Sequence, residues 1–260
     1  MFERLQKPFL TVETGEAYQP IRLAYELRKK DQLIDKLNRL KCCEQNTSTE
    51  TWSWFWRDEC ADLHCESLDT YKKNSEHPVR LATLAIRQDK LYIHTPSFKR
   101  ACLAMPFFYK IFDPGIAEIR HADFINKVFG IDERLPHGFT ELLKEEELEY
   151  VLQKRLHDYH VVQTHCERAK TAEEAFVVLS EYTKTESKKR LPYAERYAFQ
   201  EHSAQEDPDV LFLGFYIFLR GRELVAIRRW FGNIDYTLVD AAEETMEQVF
   251  GEMSNIDIIE

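Results

Sequence analysis

Glycine is scarce in this chain, with 8 residues among 260. Enzymes that bind nucleotide cofactors generally need glycine where the backbone approaches a phosphate group. The sequence contains no glycine-rich phosphate loop, no dinucleotide-binding fingerprint, no Gly-x-Ser-x-Gly motif and no zinc ribbon. These absences weigh against the enzyme classes that depend on such motifs.

Long apolar runs and regularly spaced cysteines are also missing. The longest uncharged apolar run, 210–219, has about half the length of a membrane-spanning helix. The N-terminus has no apolar run of signal-peptide length. The six cysteines show no repeated spacing and include the adjacent pair Cys42 and Cys43. We therefore expect a soluble, cytoplasmic protein with reduced thiols and no membrane partner.

Charge is present but unevenly distributed. The formal net charge is −10; residues 1–130 hold 20 basic against 18 acidic side chains, whereas residues 131–260 hold 15 against 27. An acidic surface repels nucleic acid and anionic lipid. The composition therefore argues against a general nucleic-acid coat protein, and it leaves open a local nucleic-acid site.

Alternating apolar residues predict strands, and apolar residues three or four apart predict helices. A capping box formed by Thr47 and Glu50 favours helix over strand for the segment that contains Trp52, Trp54 and Trp56. The elements predicted for the first half are a half-buried strand over 20–29, a helix over 31–42, a helix over 48–73, a hairpin over 79–95, a helix that stops or kinks near Pro106, and a short helix over 122–129.

The second half is predicted to be mainly helical. Thr171 and Glu174 form another capping box, and the run 210–219 is apolar on both faces, as in a central strand. The predicted elements are a linker over 131–138, a long helix over 140–166, a helix over 171–189, a hairpin over 210–231 with its turn at Gly221, and a closing helix over 237–250.

These elements predict an α+β fold in which antiparallel β-hairpins pack against a majority of helices. We divide the chain into an α+β half over 1–130 and an acidic α+β half over 139–260, with one continuous domain as the alternative. The predicted hairpin turns resemble each other, with RQDKL at 87–91 and RGREL at 220–224. The two halves are therefore candidates for an ancient duplication.

The first candidate site is an acidic file on the predicted helix 48–73. Glu59, Asp62, Glu66 and Asp69 are spaced three, four and three residues apart, which places them on one side of a helix. Carboxylates held in this way can bind a divalent metal ion that assists hydrolysis. The alternative is a solvated polar flank. Glu59 falls inside the apolar stripe, so burial is expected to raise its pKa.

The second candidate is a zinc site at Cys60 and His64, one helical turn apart, with Cys42 or Cys43 delivered by the preceding helix. Cys65 points away from this site on the helical wheel. Plain core cysteines are the alternative, because free cysteine is commonly buried.

The third candidate is the pair His157 and His160 on the predicted long helix. His121 or Asp123 is a conceivable third ligand or catalytic partner. The spacing matches no metal motif such as His-Glu-x-x-His, and solvated histidines are the alternative.

The fourth candidate is a group of four arginines on the predicted hairpin 210–231: Arg220, Arg222, Arg228 and Arg229. Guanidinium groups bind phosphates and carboxylates with two parallel hydrogen bonds, so the hairpin could contact an anion, an acidic partner or a nucleic-acid backbone. The alternative is protection of a strand edge by charge.

Our leading functional expectation is a macromolecular-interaction or assembly protein with a protein partner and no evident catalytic motif. Trp54, Tyr92, Tyr216 and Trp230 are candidate anchors, with burial in the core as the alternative. A metal-dependent hydrolase of phosphodiesters and a nucleic-acid-associated regulator are the other two hypotheses. Self-association into a homo-oligomer is left open.

Overall fold

The computed structural model describes residues 8–46, 48–64, 68, 70–71, 78–135, 139–199 and 207–245. Its seven strands are β1 (Ile21–Leu27), β2 (Cys43–Asn46), β3 (Thr51–Phe55), β4 (Arg80–Arg87), β5 (Lys90–Thr95), β6 (Ala117–Ile125) and β7 (Ala194–Ala198). Its helices are α1 (Lys30–Arg39), α2 (Phe98–Ile111), α3 (Phe139–Leu142), α4 (Glu145–Arg168), α5 (Ala172–Lys188) and α6 (Pro208–Trp230). Residues 238–245 are also helical. The predicted α+β class is confirmed.

All seven strands form one antiparallel sheet in the order β2-β3-β4-β5-β1-β6-β7. The predicted β4–β5 hairpin is confirmed, and Gln88 takes a positive φ of 52° in its two-residue turn. Because β1 lies between β5 and β6, its residues have neighbours on both sides: Arg22 lies opposite His94 and Asp123, and Leu23 lies opposite Ile93 and Ala122.

The two faces of the sheet differ in chemistry, because successive strand residues point to opposite sides. The face that carries Leu23 and Trp52 forms the main core with buried side chains of α1, α2 and α6. The other face carries Arg22, Asp123 and Arg196. The half-buried character predicted for β1 is therefore wrong for its first five residues, which are buried on both faces.

A smaller apolar cluster lies on the Asp123 side of the sheet. It joins Ile125 of β6 and Ala194 of β7 to Leu142, Leu143 and Leu148. These contacts hold the start of α4 beside β7, which is an edge strand. Helix α4 is 24 residues long in total, and α5 packs against it.

The helix predicted over 48–73 is wrong at its start. Residues 51–55 form β3, which pairs with β2 and β4. Alternating tryptophans suit a strand, and pairing on both sides satisfies the backbone there. Thr47 of the predicted capping box lies outside the described residues.

The short helix predicted over 122–129 is also wrong, because residues 117–125 form β6. Its apolar run is short enough to fit either element. Pairing with β1 on one side and β7 on the other decides for strand.

The hairpin predicted over 210–231 is one helix, α6, of 23 residues. A continuous apolar run does not distinguish a buried strand from a helix. Asp207 caps the helix and Pro208 begins it, which are strong helix-start features. RGREL therefore lies inside a helix, and its resemblance to the β4–β5 turn carries no structural meaning.

The predicted starts of α5 and of the closing helix are confirmed, whereas a stop near Pro106 is wrong. Thr171 caps α5 by accepting a hydrogen bond from the Glu174 backbone. The helix predicted to stop or kink near Pro106 continues to Ile111. The closing helix begins at Leu238, and its predicted end at Phe250 lies outside the described residues.

Candidate functional site

Two of the four acids predicted to form a catalytic site, Glu59 and Asp62, are described, and the catalytic role stays a prediction. Glu59 lies in a short 3-10 helix, Asp58–Cys60, where its carboxylate accepts hydrogen bonds from the backbone N–H groups of Lys41 (3.0 Å) and Cys42 (2.9 Å). Asp62 is exposed. Glu66 and Asp69 lie outside the described residues. Glu59 therefore fastens the chain between α1 and β2.

The expectation of a raised Glu59 pKa is wrong. Desolvation raises the Glu59 pKa even though the side chain is exposed, but the hydrogen bonds from backbone N–H groups favour the charged form and outweigh desolvation, so the pKa falls to about 2. A carboxyl group with this pKa stays ionised and is a poor proton donor near neutral pH.

Comparing the stability of Glu59→Gln with that of the wild type at two pH values is expected to show the contribution of these two hydrogen bonds. The folded-state pKa lies below the unfolded value of ~4.3, so ionised Glu59 stabilises the fold above that pH, and the stabilisation is lost as the pH falls towards 2. Because Glu59 is exposed, we expect the variant to lose only about 1 kcal/mol at pH 7. Urea unfolding at pH 7 and pH 3 measures the change.

The matched control for this comparison is Asp62→Asn, an exposed acid on the same segment, which should leave stability unchanged at both pH values. A Glu59→Gln deficit that is equal at pH 7 and pH 3 would show that the carboxylate charge is not what stabilises the turn.

Two predicted zinc ligands, Cys60 and His64, differ in their exposure to solvent. Cys60 is buried, and its Sγ donates to the carbonyl oxygens of Phe55 (2.9 Å) and Arg57 (3.1 Å). A thiol hydrogen bond with Cys42 and then burial raise the Cys60 pKa, so it stays protonated. His64 is exposed. Cys65 lies outside the described residues, and zinc binding stays a prediction. In the described part of the chain, no three His, Cys, Asp or Glu side chains are grouped to hold a metal ion.

The histidine pair is confirmed to lie on a long helix, and its metal-binding role stays a prediction. His157 and His160 are exposed on α4. His121 lies on β6 with its Nε2 atom 3.5 Å from the Asp123 carboxylate. That carboxylate already accepts hydrogen bonds from two buried arginines, Arg22 and Arg196.

The four arginines predicted on a hairpin lie on α6, and each has a partner. Arg222 is buried, and its guanidinium binds the Glu195 carboxylate at 2.7 and 3.2 Å. The other three contacts are Arg220 with Glu223, Arg228 with Glu244, and Arg229 with the Tyr236 carbonyl. The region predicted to be an arginine-bearing hairpin is helical, and the binding role of these arginines stays a prediction.

Three of the four predicted aromatic anchors are partly or fully buried. Trp54 is fully buried and stacks on Phe107 with ring centres 5.0 Å apart. Trp230 packs over Gly130, and Tyr92 lies under the Arg22 guanidinium at 5.2 Å. Tyr216 alone of the four has a large exposed fraction, 49%.

A buried charge cluster is the main feature that the sequence did not predict. Asp123 is fully buried, and its carboxylate binds Arg22 at 2.5 Å and Arg196 at 2.7 Å. Glu145, at the start of α4, binds both arginines from the solvent side. The strand register produces this arrangement, because Asp123 lies directly opposite Arg22 on β1 and Arg196 on β7.

The carboxylates that bind the buried arginines stay ionised. Burial raises the Asp123 pKa, but hydrogen bonds from His121 and Arg196 outweigh burial, and the pKa lies far below its usual range. On the opposite face of β7, Arg222 and Arg155 hold the Glu195 pKa below its usual value despite burial. Both carboxylates therefore stay ionised: Asp123 links β6 to β1 and β7, and Glu195 links β7 to α4 and α6.

A second unpredicted feature is the exposed apolar surface of the arm, as we name the antiparallel pair α4 and α5. Every residue of α5 is described, and none is buried. Its exposed apolar side chains are Phe176 (71%), Val177 (52%) and Leu179 (46%). On α4 the exposed set is Tyr150, Leu156, Tyr159 and Val161.

A groove of about 550 Å³ lies at the far end of the arm. Its walls combine apolar, basic and acidic groups: His165, Arg168, Ala169, Glu173, Glu174, Val177 and Val178. A groove lined by both apolar and charged side chains is suited to bind an amphipathic segment.

The fold and these surfaces define a helix-rich α+β protein with a single antiparallel sheet and a projecting helical arm. Comparisons with protein-family models, curated proteins and solved structures found no match for this chain. None of the described helices combines the length and low charge that a bilayer-spanning helix requires.

Proposed function

We propose that the chain is a macromolecular-interaction protein that docks an amphipathic helix of a protein partner along the arm. The observation that carries this proposal is that α5 contributes no buried side chain to the fold and yet exposes Phe176, Val177 and Leu179. Apolar side chains that the fold does not use commonly mark an interaction surface.

The geometry of the arm favours a helical partner. Two antiparallel helices form an incomplete bundle, and a third helix completes it by burying apolar residues in the seam. Phe176 and Leu179 are three residues apart and lie on one side of α5, so an apolar stripe on the partner has a matching surface.

The charge of the arm favours a basic partner. Residues 145–188 carry ten acidic and six basic side chains, so their net charge is −4. Glu173 and Glu174 are exposed beside Phe176. Lysine or arginine on the flanks of the partner helix would complement these charges and speed association.

Fluorescence anisotropy with two labelled helical peptides tests the proposal. Both peptides carry the same leucine stripe, and one has lysine and the other glutamate on its flanks. We expect the lysine peptide to bind at least about tenfold tighter, by ~1.4 kcal/mol, and the difference to shrink in high salt. Phe176→Ser should weaken binding of the lysine peptide about tenfold or more.

The matched control is Ile131→Ser, since Ile131 is another exposed apolar residue (55%) that lies outside the arm. It should leave binding unchanged, and circular dichroism should show native helix content in both variants. Equal binding by the wild type and Phe176→Ser would contradict a docking role for the arm.

A further inference from the structure

Over residues 210–219, helix α6 has two apolar faces, one of which packs against the core. Phe215 and Leu219 are buried against the sheet side. On the opposite face lies the α6 stripe, by which we mean Val210 (69% exposed), Leu213 (59%) and Ile217 (58%), with Gly214 among them. A helix that is apolar all round is normally covered all round.

The C-terminal part of this same face is already covered by the chain itself. Gly221 follows Gly214 by seven residues, which returns to the same side of a helix. A side chain added at Gly221 would lie 3.5 Å from Leu238, so the missing side chain accommodates a leucine. Leu224, the next apolar residue on this face, is buried against Tyr236 and Ala241.

Gly214 is the equivalent position in the uncovered part of the face. A side chain added there would meet no atom of the described residues within 4 Å. By analogy with Leu238 over Gly221, Gly214 offers a notch for a leucine of another helix. Residues 236–244 contact α6 at or beyond Gly221, about 12 Å along the helix from Leu213.

We propose that the α6 stripe is covered by the α6 stripe of a second copy of this chain, in antiparallel orientation. A twofold axis between Leu213 and Gly214 places Leu213 of each copy opposite Gly214 of the other. It also places Val210 opposite Ile217. An interface of this kind is isologous, so one surface satisfies both copies.

Charge selects the antiparallel orientation. The same axis places Asp207, which caps α6, opposite Arg220, which is 31% exposed and also pairs with Glu223. Opposite charges then meet twice across the interface. In a parallel arrangement Asp207 would face Asp207, and Leu213 would face Leu213 with the glycine notch left empty.

The size of the patch predicts a weak dimer. The α6 stripe consists of three exposed apolar side chains around one glycine. These few side chains supply less than the ~800 Å² per partner of a standard interface. The dissociation constant is therefore expected to be on the order of micromolar, with a dimer that separates on dilution.

Sedimentation equilibrium of the full chain tests the proposal. The wild type is expected to show a reversible monomer–dimer equilibrium, and Leu213→Glu is expected to raise the dissociation constant at least about tenfold. Ile234→Glu is the matched control, because Ile234 is 74% exposed and lies outside the stripe; it should dimerise like the wild type. A wild type that stays monomeric at all concentrations, or equal effects of the two variants, would overturn the proposal.

Crosslinking tests the orientation. Val210→Cys and Ile217→Cys proteins are treated with a short bismaleimide, separately and as a mixture, and the linked positions are mapped by mass spectrometry. Links between position 210 of one copy and position 217 of the other, formed only in the mixture, support the antiparallel dimer. Efficient 210-to-210 links in the Val210→Cys protein alone overturn it. Arm variants such as Phe176→Ser should dimerise normally, since this interface is separate from the arm.

Discussion

Asp123→Asn is expected to lower the free energy of unfolding by about 3–5 kcal/mol, the usual loss when one partner of a buried ion pair is removed. Asp123 is fully buried between Arg22 and Arg196, whose side chains are 10% and 8% exposed. Without the carboxylate charge, two guanidinium groups stay buried and repel each other. Chemical denaturation at pH 7 measures the loss.

The control for this experiment is Glu145→Gln, because Glu145 binds the same two arginines but is 64% exposed. Its loss is expected to stay below about 1 kcal/mol. The Asp123 pKa is depressed, so its stabilisation is complete above the unfolded value of ~3.9 and is lost as the pH falls below it. The wild type and Asp123→Asn should therefore converge in acid. A loss at pH 7 as small as that of Glu145→Gln would contradict a central role for Asp123.

Trp54→Ala is expected to cost about 3–5 kcal/mol, which is typical for removal of a large aromatic side chain from a core. Trp54 is fully buried, and its ring contacts Phe107 and Phe108 of α2 with centres 5.0 Å apart. The cavity would open between β3 and α2. Thermal and urea unfolding should both report the loss.

Ser53→Ala is the matched control, because Ser53 is the neighbouring residue on β3 and points to the other face of the sheet. We expect a change below about 1 kcal/mol. Similar losses for the two variants would mean that residues 51–55 do not alternate between faces, and the strand assignment would then fail.

Elements with local determinants could be predicted from the sequence. The β4–β5 hairpin has a two-residue turn between alternating strands, and α5 begins at a capping box whose hydrogen bonds join Thr171 to Glu174. Each signal lies within a few residues of the element that it starts. Such elements need no information from distant parts of the chain.

Elements that depend on distant partners could not be predicted in the same way. β3 lies in a segment where a capping box and a helical wheel both favoured helix, and pairing with β2 and β4 overrides them. For β6 the deciding partners, β1 and β7, lie about 100 residues before it and 70 after it. For α6 the apolar run is compatible with both elements.

The residues that meet in the buried charge cluster could not be predicted from the sequence either. Arg22 and Asp123 are 101 residues apart, and Asp123 and Arg196 are 73 apart. In the sequence each resembles a solvated side chain, because buried charge is rare. The exposed apolar surfaces of the arm and of α6 were also not predicted, because apolar residues in a sequence are expected to lie in the core.

By itself, the sequence determined the α+β class, the uneven distribution of charge, the β4–β5 hairpin and the capped helices, because these depend on composition and on contacts between near neighbours. The tertiary structure alone decided that residues 51–55 and 117–125 are strands, that Asp123 lies between two arginines, and that apolar side chains of the arm and of α6 are exposed. Burial and strand register arise from contacts between residues far apart in the chain, and local patterns carry little information about which partners meet.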